Sequence, residues 1–262
     1  QVDAISTVFI NHKEILNTTS AFIFYRTNIH EYLRDGENSI QIIFRVAKKA
    51  ASERFFSTLP ITYPYSENNK VPFMNYLRLP QFHSGWDWGP CIITSGILKS
   101  IKLIPFHKNE YDLIEVSTEQ IYQNDKIDLK VDIDFQCFEN INQNVIFTVQ
   151  FHQITHEITI DPHEKGKYRY SLILPTDGLE KWNTFDFGKQ PLYDLIVKTG
   201  NSEIRKKIGI RQLVVDTHDD DYGTSFQFVL NGNVVNAKGA NFIPIDSIPS
   251  RMTYERTYEL IQ

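Results

Sequence analysis

The sequence predicts a mainly β protein assembled from sandwiches, and three observations carry that prediction. Aromatic residues are abundant, with 18 Phe, 13 Tyr and 3 Trp in 262 residues, and such side chains favour strands. Apolar and polar residues alternate along much of the chain, and a period of two means that each segment buries one face and wets the other. Amphipathic helical periodicity is scarce before the C-terminal stretch. Several alternating segments separated by short polar turns read as β-sandwich architecture.

Taken in order, Ile40, Ile42 and Phe44 alternate after the turn Asp35-Gly36. Residues 46–56 read either as one short helix or as an irregular connector. Residues 57–84 contain Pro60, Pro64, Pro72 and Pro80. Proline fixes φ and lacks a backbone donor, so this stretch is expected to be a long ordered loop, and long loops in compact domains are often functional. A boundary is expected near Pro105 to Tyr111. Beyond it Ile127, Leu129, Val131, Ile133 and Phe135 alternate strictly, as do Val145, Phe147, Val149 and Phe151, and then Tyr168, Tyr170, Leu172 and Leu174. A second boundary is expected between Arg211 and Thr224. There the acidic run Asp216-Thr217-His218-Asp219-Asp220-Asp221 reads as a solvated linker or, since oxygens cluster, as a cation site without EF-hand spacing. Asn231-Gly232 readily takes positive φ at both central positions, predicting a tight hairpin from Phe226, Phe228 and Leu230 to Val234-Val235. A strand is expected to hold Val234 to Pro244. Thr253 is expected to cap a terminal helix with Glu255 in its first turn and Tyr254, Tyr258 and Ile261 on one face. The expected partition is 1–108, 109–213 and 214–262.

Composition excludes some classes of function. Formal charge is −5, from 27 basic and 32 acidic residues. No excess cationic field is available to neutralise phosphates, which argues against a nucleic-acid partner. No uninterrupted apolar run is long enough for a membrane helix. Cys91 and Cys137 read as free buried thiols more readily than as a pair. The pattern calls for no cofactor and no resident metal.

The cluster with chemical content is Gly85-Trp86-Asp87-Trp88-Gly89-Pro90. Indole faces stack on the C–H faces of pyranose rings, and a carboxylate accepts hydrogen bonds from adjacent hydroxyls. Flanking glycines let the backbone approach a ligand closely. The same cluster also reads as two core tryptophans with an aspartate capping a turn. Arg78 lies upstream on the same loop; it reads either as an ion-pair partner that orients Asp87 or as a surface arginine. His83 reads as a hydrogen-bonding group of the loop.

The segment from Arg78 to Pro90, followed by Thr94-Ser95-Gly96-Ile97, resembles the hallmark of β-mannosidases of glycoside hydrolase family 2. Further resemblances follow in order: Trp182-Asn183 with Gly188-Lys189-Gln190-Pro191-Leu192-Tyr193, then Gly209-Ile210-Arg211, then Phe228-Val229-Leu230-Asn231-Gly232 with the run from Lys238 to Ser247, and then Pro249 to Thr253. Val2-Asp3-Ala4, Asn11, Phe22 and Gly36-Glu37-Asn38 resemble the interior of the family's first domain. Departures are Leu79 for the family's lysine, Ser84 for its aromatic before glycine, and Leu98 and Phe242 for two of its tryptophans. Leu98 and Phe242 keep apolar bulk, so packing is expected to survive there.

The resemblance implies a jelly-roll (galactose-binding-like) sandwich over 1–108, an immunoglobulin-like sandwich over 109–213, and the first β/α unit of a (β/α)8 barrel over 214–262. It implies hydrolysis of terminal β-D-mannosides with retention, using two glutamates expected beyond Gln262, so no catalytic residue is assigned in this chain and the chain alone is expected to be inactive. The candidate substrate contacts are Asp87, Trp86, Trp88, Arg78, Asn241 and Asp246; the last two are expected at the end of the first barrel strand, where barrel sites are built. The alternatives are a stand-alone carbohydrate-binding sandwich module and a family-2 relative acting on galactosides or glucuronides. The expected partner is a mannoside or oligosaccharide. The barrel remnant is expected to expose apolar surface and to pack on the sandwiches or on another copy.

Overall fold

The alternating segments become antiparallel strands whose apolar sides meet. The structure, a computed structural model, describes residues 2–64, 67–105, 111–123, 126–200 and 202–262. It divides into two compact units, Gln1–Leu103 with Ala240–Gln262, and Ile104–Gly239. Residues 106–110, within the expected first boundary, lie outside the described residues.

The first unit contains β1 (Val2–Asp3), β2 (Ser6–Ile10), β3 (Lys13–Thr18), β4 (Ile40–Phe44), helix α1 (Ala47–Thr58) and β5 (Gly96–Ile97). One sheet has the order β3-β2-β4, and β1 pairs with β5 as Asp3 opposite Gly96. Its core is built from Ala4, Ala21, Ala50, Ala51, Met74, Leu77 and Leu79, with Leu98 packed against it. The stretch left open between helix and connector is thus helical. Ala50 and Ala51 are small enough for α1 to lie close to the segment it covers, and its Phe55 stacks on Phe73 at 4.2 Å. The proline-rich loop is irregular but ordered by hydrogen bonds: Gln81 Nε2 donates to the carbonyls of Met74, Leu77 and Leu79.

The second unit contains β6 (Tyr111–Gln123), β7 (Lys126–Cys137), β8 (Val145–Phe151), β9 (Ile154–Ile160), β10 (Gly166–Pro175), β11 (Tyr193–Thr199) and β12 (Ser202–Ile208). Two sheets, of order β10-β7-β6 and β12-β11-β8-β9, share one core. Every second residue of β7 from Ile127 to Cys137 is buried, and so are Val145, Phe147, Val149 and Phe151 of β8. Phe135 meets Phe147 across the sandwich at 5.0 Å, edge to face.

The same unit holds β13 (Leu213–Asp216), β14 (Asp219–Asp220), β15 (Gly223–Thr224), β16 (Gln227–Leu230) and β17 (Asn233–Val235). The Asn231-Gly232 turn has φ of 50° and 86°, and β16 returns into β17 with Leu230 opposite Asn233. Asn231 is also a tie: its Nδ2 donates to Trp182 O and Asn183 Oδ1, and its Oδ1 accepts from Gln212 N.

Three expectations are corrected. The acidic run is part of a small hairpin instead of a linker: β14 pairs with β15, and the Asp216 carboxylate is bonded by Gln227 and His218. Cys91 is exposed, while Cys137 is buried and both are free. Residues 236–245 form no strand: among the described residues no strand pairs with this segment to complete a ladder. After this segment Pro249–Arg251 forms a 3-10 turn and helix α2 (Tyr254–Ile261) follows, with Thr253 Oγ1 accepting from Arg256 N as its cap.

Candidate functional site

The tryptophan cluster forms a tight turn. Trp86 and Gly89 exchange backbone hydrogen bonds, Trp86 N to Gly89 O at 3.2 Å and Gly89 N to Trp86 O at 3.4 Å. Asp87 and Trp88 are therefore its two central residues. Asp87 is exposed, Trp86 is half-buried, and Trp88 is 36% exposed. An aspartate capping its own turn between two core indoles would be buried, so the geometry leaves the carboxylate accessible to an external donor.

The glycine before the turn serves the chain's own packing. Gly85 has φ +99°, and a Cβ there would lie 2.6 Å from Lys70 Cγ and 3.3 Å from Asn68 O. Both the backbone region and the contact exclude an L side chain. Gly89 meets nothing within 4 Å.

Trp88, Pro90 and Ile92 form one wall of an open cleft of about 370 Å³, and the segment from Ile243 to Ile248 with Arg251 forms the other. All of these residues belong to the first unit. Asp246 is buried in that second wall. Its Oδ1 accepts from Ile248 N at 2.8 Å, and its Oδ2 accepts from Arg251 Nη2 at 2.9 Å and Arg256 Nη1 at 2.7 Å. The Ile248 amide first, then Arg251 and Arg256, hold this carboxyl down to about 2, since each favours the ionised form. Two guanidinium groups on one carboxylate leave the wall with a surplus positive charge.

The structure brings Trp88 and Asp246 to the same cleft, and Trp86 and Asp87 share the Trp88 turn. Arg78 and Asn241 do not line it. Arg78 takes the surface alternative: its guanidinium lies over the Phe22 ring at 5.4 Å, and among the described residues no ion pair joins it to Asp87. Asn241 is exposed. Leu98 keeps the packing expected of it, but Phe242 is 66% exposed and does not.

Sequence reasoning missed Arg251 and Arg256. They sit five and ten residues after Asp246, a spacing with no helical or strand period, so only the fold of the 3-10 turn and the first turn of α2 reveals the clamp. It also understated His83, which is buried beneath the turn.

Residues 1–99 match the family described as glycosyl hydrolase 2 galactose-binding domain-like. A probable β-mannosidase of Caenorhabditis elegans is 27% identical over 95% of this chain and 30% of its own length. β-Mannosidase B of Aspergillus flavus is 24% identical over 100% of this chain and 31% of its length. The crystal structure of a β-D-mannosidase from Dictyoglomus thermophilum superposes with a TM-score of 0.82 at 27% identity, covering 99% of this chain and 32% of that one. The chain thus spans about a third of the length of the relatives it matches. It is mainly β, with a galactose-binding-like first domain, and it is homologous over its whole length to the N-terminal region of β-mannosidases of glycoside hydrolase family 2.

Proposed function

We propose that this chain is the non-catalytic, substrate-contacting N-terminal portion of a retaining β-mannosidase that acts on terminal β-D-mannosides, and that Asp87, with Trp86 and Trp88 beside it, receives the sugar. The observation that carries the proposal is the exposed Asp87-Trp88 pair at the tip of a tight turn whose indole lines a cleft. An indole face and an accessible carboxylate suit a neutral polyol. The relatives whose names report β-mannosidases extend along the whole chain.

Chemistry separates binding from catalysis here. Retaining hydrolysis needs two carboxyl groups about 5–5.5 Å apart, one able to give and regain a proton near neutral pH. The cleft lining holds a single carboxylate, Asp246, bound to two arginines and titrating at about 2, which makes it unfit as an acid. Asp246 instead fixes the wall opposite Trp88. In this reading residues 109–213 form the immunoglobulin-like sandwich and residues 214–262 the approach to a (β/α)8 barrel, with Asn241 and Asp246 near its mouth.

Saturation-transfer NMR with methyl β-D-mannoside tests the assignment. Weak binding is expected, with Asp87→Ala reducing it about tenfold, the size of one charge-assisted hydrogen bond. An aryl β-mannoside should release no phenol. Turnover by this chain, or binding indifferent to Asp87→Ala and Trp88→Ala together, refutes the proposal.

A further inference from the structure

Under the tryptophan turn lies a buried ionisable cluster drawn from three parts of the first unit. His83, in the 3-10 turn Gln81–Ser84, is 1% exposed, and so is Asp3 of β1. The pairing of Asp3 with Gly96 brings Thr94 beside them. Thr94 Oγ1 donates to Asp3 Oδ2 at 2.7 Å, and His83 Nδ1 lies 3.4 Å from Thr94 Oγ1 and 3.6 Å from Asp3 Oδ2. The threonine proton is committed to Asp3, so Thr94 accepts and Nδ1 carries the hydrogen of a neutral ring. Among the described residues the other nitrogen, Nε2, is buried with no hydrogen-bond partner, as is Asp3 Oδ1. The imidazole then makes an edge-to-face contact with Phe82 at 4.6 Å, and Phe82 meets Trp88 at 5.7 Å.

We propose that His83 is a positioning residue for the sugar-contacting turn: neutral, it supports Phe82 and through it Trp88 at the cleft, and its protonation withdraws that support. The proposal rests on the reading of this turn as a sugar contact. A proton taken from solvent goes to Nε2, creating a buried N–H with no acceptor beside it. The carboxylate paired with His83 is Asp3, whose Oδ1 is buried without a partner among the described residues, and turning Nε2 toward it shifts the ring under Phe82. The charged group facing His83 is Asp3 from β1; the Lys70 amide donates to Ser84 O on the neighbouring residue, and Asp87 is on the exposed turn. Burial lowers the His83 pKa and outweighs the opposing pull of Asp3. The folded pKa therefore lies below the unfolded value of about 6.5. The contribution is complete above that value and is lost as pH falls through the depressed one.

The full chain labelled with fluorotryptophan tests this by fluorine NMR, since Trp86, Trp88 and Trp182 give three signals assignable by Trp→Phe substitution. Between about pH 7.5 and about pH 4.5, across the histidine range, the Trp88 signal should move in one step while Trp182 stays still. His83→Asn keeps a donor toward Thr94 without a titrating group. It should hold Trp88 at its neutral-pH position throughout. Phe82→Leu breaks the relay above an intact cluster and should also abolish the step, which keeps the test available if His83→Asn fails to fold. A wild-type Trp88 signal without a step, or a step that persists in His83→Asn, overturns the inference. Mannoside affinity measured in parallel should fall with the step in wild type and stay level in His83→Asn. Absence of mannoside binding at every pH refutes the sugar reading alone, because the fluorine signal still decides the role of His83.

Discussion

Two aspartates of similar promise in the sequence end in opposite situations. Asp87 stands at the tip of a turn and faces solvent, whereas both oxygens of Asp246 are engaged from within. Charge-assisted bonds from an amide and two guanidinium groups stabilise the ionised form of Asp246, so its folded pKa, about 2, lies below the unfolded value of about 3.9. The folded state binds fewer protons between these values. Its contribution to stability is whole above about pH 4 and fades as pH falls through about 2. Asp246→Asn should lower the thermal transition at neutral pH and flatten its dependence on pH across that acid window. Melting curves followed by circular dichroism at several pH values check this; an unchanged acid profile excludes the clamp. The exposed turn that holds Asp87 was legible as a loop because glycines and tryptophans flank it in one short run. The clamp was not, because Asp246, Arg251 and Arg256 are related only by the path of a 3-10 turn.

At the level of elements, local chemistry was readable and pairing was not. Asn231-Gly232 is the clearest case, since positive φ at both positions is a property of those two residues. Gly232→Ala would place its Cβ in open space, so the cost is backbone strain alone, about 1 kcal/mol. Asn231→Ala removes the tie to Trp182, Asn183 and Gln212 as well and should cost more, about 1–3 kcal/mol. Chemical denaturation of both variants checks the order, and an equal loss would mean that the side-chain tie contributes nothing. Thr253→Ala should fray α2 for about 1 kcal/mol through loss of the Arg256 amide bond. The strand expected before Pro244 is missing from residues 236–245, since a strand exists only beside another strand. That information is long-range, as is the burial of His83, which depends on β1 meeting β5 ninety or so residues downstream.

For the molecule as a whole, stability is divided between cores of different make. The core of the first unit is alanine, leucine and methionine around one helix, with much of the chain irregular and held by side-chain bonds such as those of Gln81. The core of the second is a continuous apolar layer in which Phe135, Phe147 and Phe151 are sealed. Long strands with strict alternation made that core readable residue by residue. Phe147 of β8 meets Phe135 of β7 and Tyr111 of β6, both on the opposite sheet, so its loss empties space at the centre of the sandwich. Phe147→Ala should therefore destabilise the second unit by about 3–5 kcal/mol. Amide hydrogen exchange resolves where the loss falls. Protection should drop through β7, β8, β10 and β11, while the amides that support the tryptophan turn, such as Gly85 and Gly89, keep theirs. A uniform drop across both units would instead mean that the chain unfolds as one cooperative body.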